Sequence, residues 1–305
     1  MDWNSEIETA ATRIAGHVQQ TPSFLTQAFG LGFPVEMKLE HMQHTGSFKV
    51  RGAFNTLLSR PAPKAGVVAA SGGNHGAAVA YAARSLNVPA HIFVPEIAGP
   101  SKIALVERTG ADLSVVPGTY AEALSAAQQH EAATGAMQIH AYDATPTIAG
   151  QGSCFLEWDR QGLMADTVLV AVGGGGLIAG ALAWFGQSRK VVAVEPETSC
   201  ALHAALDSGA PVDVEVSGIA ANALGARRIG TMCFELAQGM DSVLVSDDDI
   251  AKAQRALWQE KRQLVEPAGA ASLAALMSGA YVPEPGERVA ILVCGGNVAR
   301  DPFAT

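Results

Sequence analysis

The chain is short of charge. Only 16% of its 305 residues are Asp, Glu, Lys or Arg, and acid outweighs base to a net charge of -9. An acidic chain repels phosphodiester backbones, which argues against nucleic acid as a partner. Cysteine is scarce as well. Cys154, Cys200, Cys233 and Cys294 lie far apart, and no two form a C-x-x-C pair. A disulfide framework and a zinc site are therefore disfavoured, and no metal is expected. The opening "MDWNSEIETAATRIAGHVQQ" reads as an amphipathic helix and lacks a charged segment ahead of an apolar run, so no signal peptide is expected. No apolar stretch reaches membrane-spanning length without Gly, Pro or charge. The expectation is a cytoplasmic protein that does not engage a membrane. Internal repeats and low-complexity linkers are also missing, so sequence gives no direct sign of a domain break.

What is present is an apolar chain, 49% hydrophobic, which is ample for one large domain or two linked lobes. Strand-like runs recur: "VEMKLEH" (35–41), "GVVAAS" (66–71), "AHIFVP" (90–95), "DLSVVP" (112–117), "MQIHAY" (137–142), "TVLVAVG" (167–173), "KVVAVEP" (190–196), "SVLVS" (242–246) and "RVAILVCGG" (288–296). Several are almost unbroken in Val, Ile, Leu and Ala, as strands buried on both faces of a parallel sheet are. Helical patterns lie between them. Val79, Ala82, Ala83 and Leu86 share a face. Thr119 and Glu122 form a capping box ahead of a helix that Gly135 stops. Ser246 and Asp249 open another, with Ile250, Ala253, Leu257 and Leu264 in one stripe. The alternation predicts an α/β fold with helices on both sheet faces.

In open α/β sheets ligands bind beyond the carboxyl ends of strands, and three glycine-rich stretches sit there: "SGGNHG" (71–76), "GGGGL" (173–177) and "CGGN" (294–297). In "VLVAVGGGGLIAGALAWF" a strand runs into four glycines and then a helix. Backbone N–H groups at such a helix start form an anion cradle. No Gly-Lys-Ser/Thr follows, so this is not a P-loop. The pattern G-x-G-x-x-G fails at Ile178 and, in a second frame, at Ala179, yet Glu195 at the end of the next strand keeps dinucleotide binding open on this loop alone. A tight structural turn is the plain alternative.

In "ASGGNHGAAVAYAA", Ser71, Asn74 and His75 add donors to free N–H groups, which suits a carboxylate or a phenolic oxygen. Asn74 as a simple helix cap is the competing reading. The third element is "HTGSFKVRGAFN". Ser47 is a natural N-cap, Val50, Phe54, Leu57 and Leu58 mark the buried face, and Lys49 becomes the second helical residue. That is the wrong end of a helix dipole for a structural cation. The field and burial favour a neutral amine, which can form an imine. An exposed surface lysine is the ordinary alternative.

Taken together, "KLEHMQHTGSFKVRGAFN", "ASGGNHGAAVAYAA", "TIAGQGSCFLEW", "VAVGGGGLIAGAL", "VEPAGAAS" and "VCGGN" resemble, in order and spacing, the fold-type II pyridoxal-phosphate enzymes. The threonine/serine dehydratase and serine racemase family is the branch they resemble most. The resemblance implies two open, mostly parallel twisted sheets of the tryptophan synthase beta type, with a small mobile domain (54–142) inserted in a large cofactor-binding domain (1–53 and 143–305). It implies pyridoxal 5'-phosphate as cofactor, bound covalently by Lys49. Phe48 would pack on the ring and Asn74 would meet its phenolic oxygen. Gly173, Gly174, Gly175, Gly176 and Leu177 would hold the phosphate. Cys294 would face the pyridine nitrogen. Ser71, Gly72, Gly73, Asn74 and His75 would grip the carboxylate of a small amino-acid substrate. A homodimer or homotetramer is implied too, and the stop soon after "CGGN" leads us to expect no isoleucine feedback.

Departures from the family pattern narrow the chemistry. Racemases of the family place a serine where this chain has Gly72, and glycine has no proton to give. Two-base racemisation therefore lacks a partner, and elimination is favoured. The weakly acidic thiol of Cys294 points the same way. Glu195 and Ser199 match two members of a divalent-ion site of some relatives, but Ala201 replaces its Asp. Tyr142 and Asn222 also depart from the racemases. The expected activity is dehydration of a β-hydroxy amino acid such as L-threonine or L-serine to a 2-keto acid and ammonia. Hydroxyaspartate or phenylserine as substrate, and serine racemisation, are the enzymatic alternatives. A non-catalytic nucleotide- or amino-acid-binding protein is the rival from another class. Glu266, in "EPAGAA", has two readings: a residue that reaches the cofactor, or a cap of the helix that follows.

Overall fold

Short apolar runs become the strands, and their burial explains their composition. The computed structural model describes residues 1–71 and 73–298. Gly72, of the substrate-loop expectation, lies outside the described residues. The strands are β1 (Ser23–Thr26), β2 (Val35–Lys38), β3 (Val67–Ala70), β4 (Ala90–Pro95), β5 (Asp112–Val116), β6 (Met137–Gln138), β7 (Thr167–Ala171), β8 (Lys190–Pro196), β9 (Asp241–Val245) and β10 (Val289–Leu292). Every residue of β3, β7 and β10 is buried, because helices cover both faces of the sheets.

The strands form two sheets. One has six strands in the order β1-β2-β10-β7-β8-β9, and the other has four in the order β5-β4-β3-β6. All pairs are parallel except β1 with β2. The larger sheet draws on both ends of the sequence, while the smaller is continuous in it. The antiparallel edge strand β1 is an addition to the expected set. Its "SFLT" is too short and mixed to stand out in sequence.

The helix capping read from sequence largely appears. Thr119 and Glu122 close a capping box on the helix Tyr120–Thr134, and Gly135 ends it at φ 72°. Ser246 caps Asp247–Lys261, but Leu264 falls beyond that helix and is exposed, so it leaves the predicted stripe. "MQIHAY" is a strand only to Gln138.

Two close helix crossings set the geometry of the site. The helix Thr145–Arg160 lies between Lys49–Ser59 and Gly176–Phe185. A Cβ on Gly150 would lie 2.6 Å from Gly52 Cα, and one on Gly180 would lie 2.6 Å from Gly152 N. Only glycine permits backbones to approach so closely. These contacts bring the helix that begins with Lys49 and the helix that begins with the four-glycine turn to one end of the larger sheet.

Candidate active site

Lys49 opens the helix Lys49–Ser59. It is the first helical residue, not the second as Ser47 capping would make it. Ser47 is extended (φ -162°, ψ 159°) and fully buried, but its hydroxyl has no hydrogen-bond partner. The chain is held instead by a bridge from Ser47 to Gly295 and by Phe48 N–H donating to Cys294 O at 3.2 Å. The segment before Lys49 is thus pinned to the segment after β10.

Lys49 is not a surface lysine. Its Nζ donates to Ala141 O at 2.9 Å and lies 5.1 Å from the centroid of the Phe48 ring. Burial pushes its amine down from 10.5 to about 8, against the pull of Glu266. Two residues on, Arg51 anchors the same helix. Its Nε and Nη2 fork onto Glu40 at 2.8 and 2.7 Å, and Nη2 reaches Glu157 at 3.0 Å. Glu157 also pairs with Lys38 at 2.6 Å. Arg51, Glu40 and Lys38 are fully buried, with two positive and two negative groups in the cluster. Such a bidentate, enclosed pair holds geometry more than it adds stability.

Ala141 belongs to a sharp turn. His140 Nδ1 accepts from Asp143 N–H at 2.8 Å and from Tyr142 N–H at 3.3 Å, which curls the chain away from β6 and ends that strand early. Tyr142 then lies against the four-glycine turn. A Cβ on Gly174 would collide with the Tyr142 ring, and one on Gly176 would lie 2.8 Å from Tyr142 Cα. Gly173 is as tight, 2.9 Å from Leu224 Cα, and Gly175 is left-handed at φ 94°. The helix Gly176–Phe185 has no side-chain cap. Among the described residues, no acceptor receives the N–H groups of Gly173 to Leu177. A row of unpaired amides at a helix start, floored by residues that admit no Cβ, fits a phosphate group.

Asn74 begins the helix Asn74–Ser85, and Gly73, before it, makes no cap bond. Asn74 is therefore no helix cap. Its Nδ2 donates to Glu266 Oε1 at 2.5 Å, and its Oδ1 accepts from Asn297 Nδ2 at 2.9 Å. Glu266 in turn faces Lys102 Nζ at 3.5 Å and makes no cap bond to the helix it precedes. Burial raises the Glu266 carboxyl, while Lys102 and Asn74 oppose that rise. Ser71 Oγ accepts from Gly73 N–H at 3.2 Å, which shapes the loop. His75 is turned inward, with Nε2 donating to Ile139 O at 2.9 Å, and burial holds it neutral, pushed down to about 3. His75, expected to grip the substrate, thus offers that role its backbone and not its ring.

Cys294 is buried, and its Sγ donates to Ala268 O at 3.3 Å. Burial raises the thiol, so it stays protonated. Its one proton is directed at Ala268, so it offers a sulfur lone pair to a neighbour. Glu195 is buried at the end of β8, where its two oxygens accept from Leu202 and His203 N–H at 2.8 Å each. Both face the next helix, and Ser199 Oγ donates to Leu224 O.

The structure thus gathers Lys49, Phe48, Asn74, the four-glycine turn and Cys294 at one place. It adds His140, Ala141 O, Lys102 and Asn297, to which sequence reasoning assigns no role. Asn297 stands in the quoted "CGGN", but nothing local marks its partner. Lys102 sits in a helix of ordinary pattern and meets Glu266 only through the fold.

Comparison with known proteins agrees with this geometry. The family described as pyridoxal-phosphate dependent enzyme matches residues 14–295. The L-threonine ammonia-lyase of Geobacter sulfurreducens is 34% identical over 301 residues, covering 96% of this chain and 75% of that protein. The phenylserine dehydratase of Ralstonia pickettii is 34% identical over 309 residues, covering 98% and 94%. Among solved structures, maize serine racemase superposes with a TM-score of 0.91 at 30% identity, covering 97% of this chain and 93% of that one. A threonine deaminase from T.th. gives 0.89 at 34% identity, covering 99% of each. An amine poised near neutrality, a cradle of free amides and these likenesses converge: the chain belongs to the pyridoxal-phosphate-dependent enzymes, in their fold-type II branch.

Proposed function

We propose that the protein dehydrates a β-hydroxy amino acid, L-threonine or L-serine, to a 2-keto acid and ammonia. The observation that carries this reading is Lys49, a buried amine lowered to about 8 and held by Ala141 O beside the glycine cradle. Relatives named for threonine ammonia-lyase and phenylserine dehydratase support it. The four-glycine turn would hold the cofactor phosphate and Asn74 its phenolic oxygen, with Phe48 and Cys294 beside the ring. The cofactor, when bound, supplies a conjugated ring that spreads negative charge from the substrate Cα. The chain does the rest. The Ser71 hydroxyl and the backbone N–H groups of Asn74 and His75 would hold the substrate carboxylate, since the Ser71 and Gly73 amides already donate to Phe93 O and Ser71 Oγ. The Lys49 amine takes the Cα proton, and its lowered pKa makes the free base available near neutral pH. The β-hydroxyl takes up a proton and departs as water, and hydrolysis of the remaining enamine, through its imine, gives the keto acid and ammonia. Racemases of the family carry a serine where this sequence has Gly72, and glycine has no proton to donate, which favours elimination.

The residues around β3 to β6 carry the substrate loop, and we take 54–142 as the part that moves to cover it. Leu25, Met42, Trp258 and Leu264 are exposed on segments tied by the His41–Gln263 and Phe29–Glu260 hydrogen bonds. These exposed apolar side chains support association into a homodimer or homotetramer. The four cysteines are free thiols and no helix among the described residues is long and apolar enough to cross a membrane, which suits a cytoplasmic setting. Phenylserine is the second candidate, given the relative of that name at equal identity. A panel of threonine, serine, phenylserine and hydroxyaspartate, assayed for keto-acid release, separates these. Release from none of them would overturn the proposal.

A further inference from the structure

Glu266 has no part in the steps above, yet its carboxylate lies where the loops of both sheets meet. It is 2% exposed. A carboxylate can only accept, so Asn74 must turn its NH2 side toward it. On the other side Asn297 Nδ2 donates both to Asn74 Oδ1 at 2.9 Å and to Thr45 O at 2.7 Å. An asparagine amide has two flips of nearly equal shape, and here only one matches both neighbours. That flip commits one N–H of Asn74 to Glu266 and leaves the second free. Lys102 secures the arrangement, since its Nζ faces Glu266 Oε2 at 3.5 Å and donates to Asn297 O at 3.2 Å. Lys102 Nζ also lies beside Gly73, 3.9 Å from where a Cβ there would sit.

We propose that Glu266 is a positioning residue that fixes the amide of Asn74 so that an N–H, not the carbonyl, faces the cofactor's phenolic oxygen. The proposal rests on Asn74 being the partner of that oxygen. Glu266→Gln breaks the logic in a defined way. If the introduced amide offers its oxygen to Asn74, its NH2 meets the Lys102 ammonium. If it turns round, Asn74 must flip, and the NH2 of Asn74 then meets that of Asn297. Removing the ammonium as well lets the introduced amide offer its oxygen without conflict.

The test compares wild type, Glu266→Gln, Lys102→Met and the double variant as holoenzymes. Cofactor dissociation constant and the absorption maximum of the cofactor bound at Lys49 are measured. Glu266→Gln is expected to weaken cofactor binding about tenfold or more, as loss of a charged hydrogen bond does, and to shift the band. The double variant should regain most of the affinity and the wild-type band. Two results would overturn the proposal: a wild-type band and affinity in Glu266→Gln, or a double variant no better than that single one. The second is what a purely structural ion pair predicts. Keto-acid release is not among these readouts, so an error in the assigned substrate would show itself separately.

Discussion

Replacing Lys49 by Met should abolish activity in the presence of the cofactor and make the apoenzyme more stable. The amine falls from 10.5 to about 8 because it is buried. Below pH 8 both folded and unfolded states carry the proton, and the folded state bears the whole cost of a buried charge. Between 8 and 10.5 the folded state has released the proton while the unfolded state still holds it, so stability rises with pH. Above 10.5 the cost is gone. At pH 7 it amounts to about 3 kcal/mol, and at pH 10 to about 1 kcal/mol. Met also gives up the hydrogen bond to Ala141 O, a loss of about 1 kcal/mol. The variant should therefore exceed wild-type apoenzyme by about 2 kcal/mol at pH 7 and match it near pH 10. Urea denaturation of the two apoenzymes, followed by tryptophan fluorescence, measures this. A wild-type apoenzyme as stable as the variant at pH 7, or a gap that does not close with pH, would refute the reasoning.

Three other substitutions probe the frame. Gly174→Ala places a methyl group against the Tyr142 ring and should weaken cofactor binding about 5- to 150-fold, given an overpacking cost of about 1–3 kcal/mol; titration of apoenzyme with pyridoxal phosphate reads it. Arg51→Met leaves Glu40 buried with only Lys38 to offset its charge, so urea denaturation at pH 7 should show a loss of about 3–5 kcal/mol. Gly72→Ser should create or raise D-serine formation from L-serine, followed by chiral chromatography; no D-serine at all would undercut the argument that one missing proton donor separates elimination from racemisation.

Much of the fold is legible in the sequence because its strands are buried on both faces. Composition alone marks such runs: all nine expected strands are present, six within two residues at each end and three, 35–41, 137–142 and 288–296, ending three or four residues early. "MQIHAY" reads too long because His140 Nδ1 takes two N–H groups and ends the strand, a side-chain effect no periodicity reveals. Strand β1 escapes a sequence reading because its stability comes from pairing with β2.

The site is legible where chemistry needs a local pattern: glycines at a helix start, or a lysine at the wrong end of a helix. It is not legible where the function lies in contacts between distant segments. Asn74 looks like a cap until Glu266 and Asn297, more than 190 residues away, claim both sides of its amide. Ser47 looks like a cap and makes no such bond, because the bridge to Gly295 holds that backbone instead.

The central claim is that Lys49 acts as the sole base for elimination. Its most direct test supplies L-threonine and L-serine to the purified holoenzyme and to Lys49→Ala, following keto acid and ammonia together. The account predicts equal amounts of both products from the wild type and none above background from the variant. Undiminished keto-acid release by Lys49→Ala would contradict it.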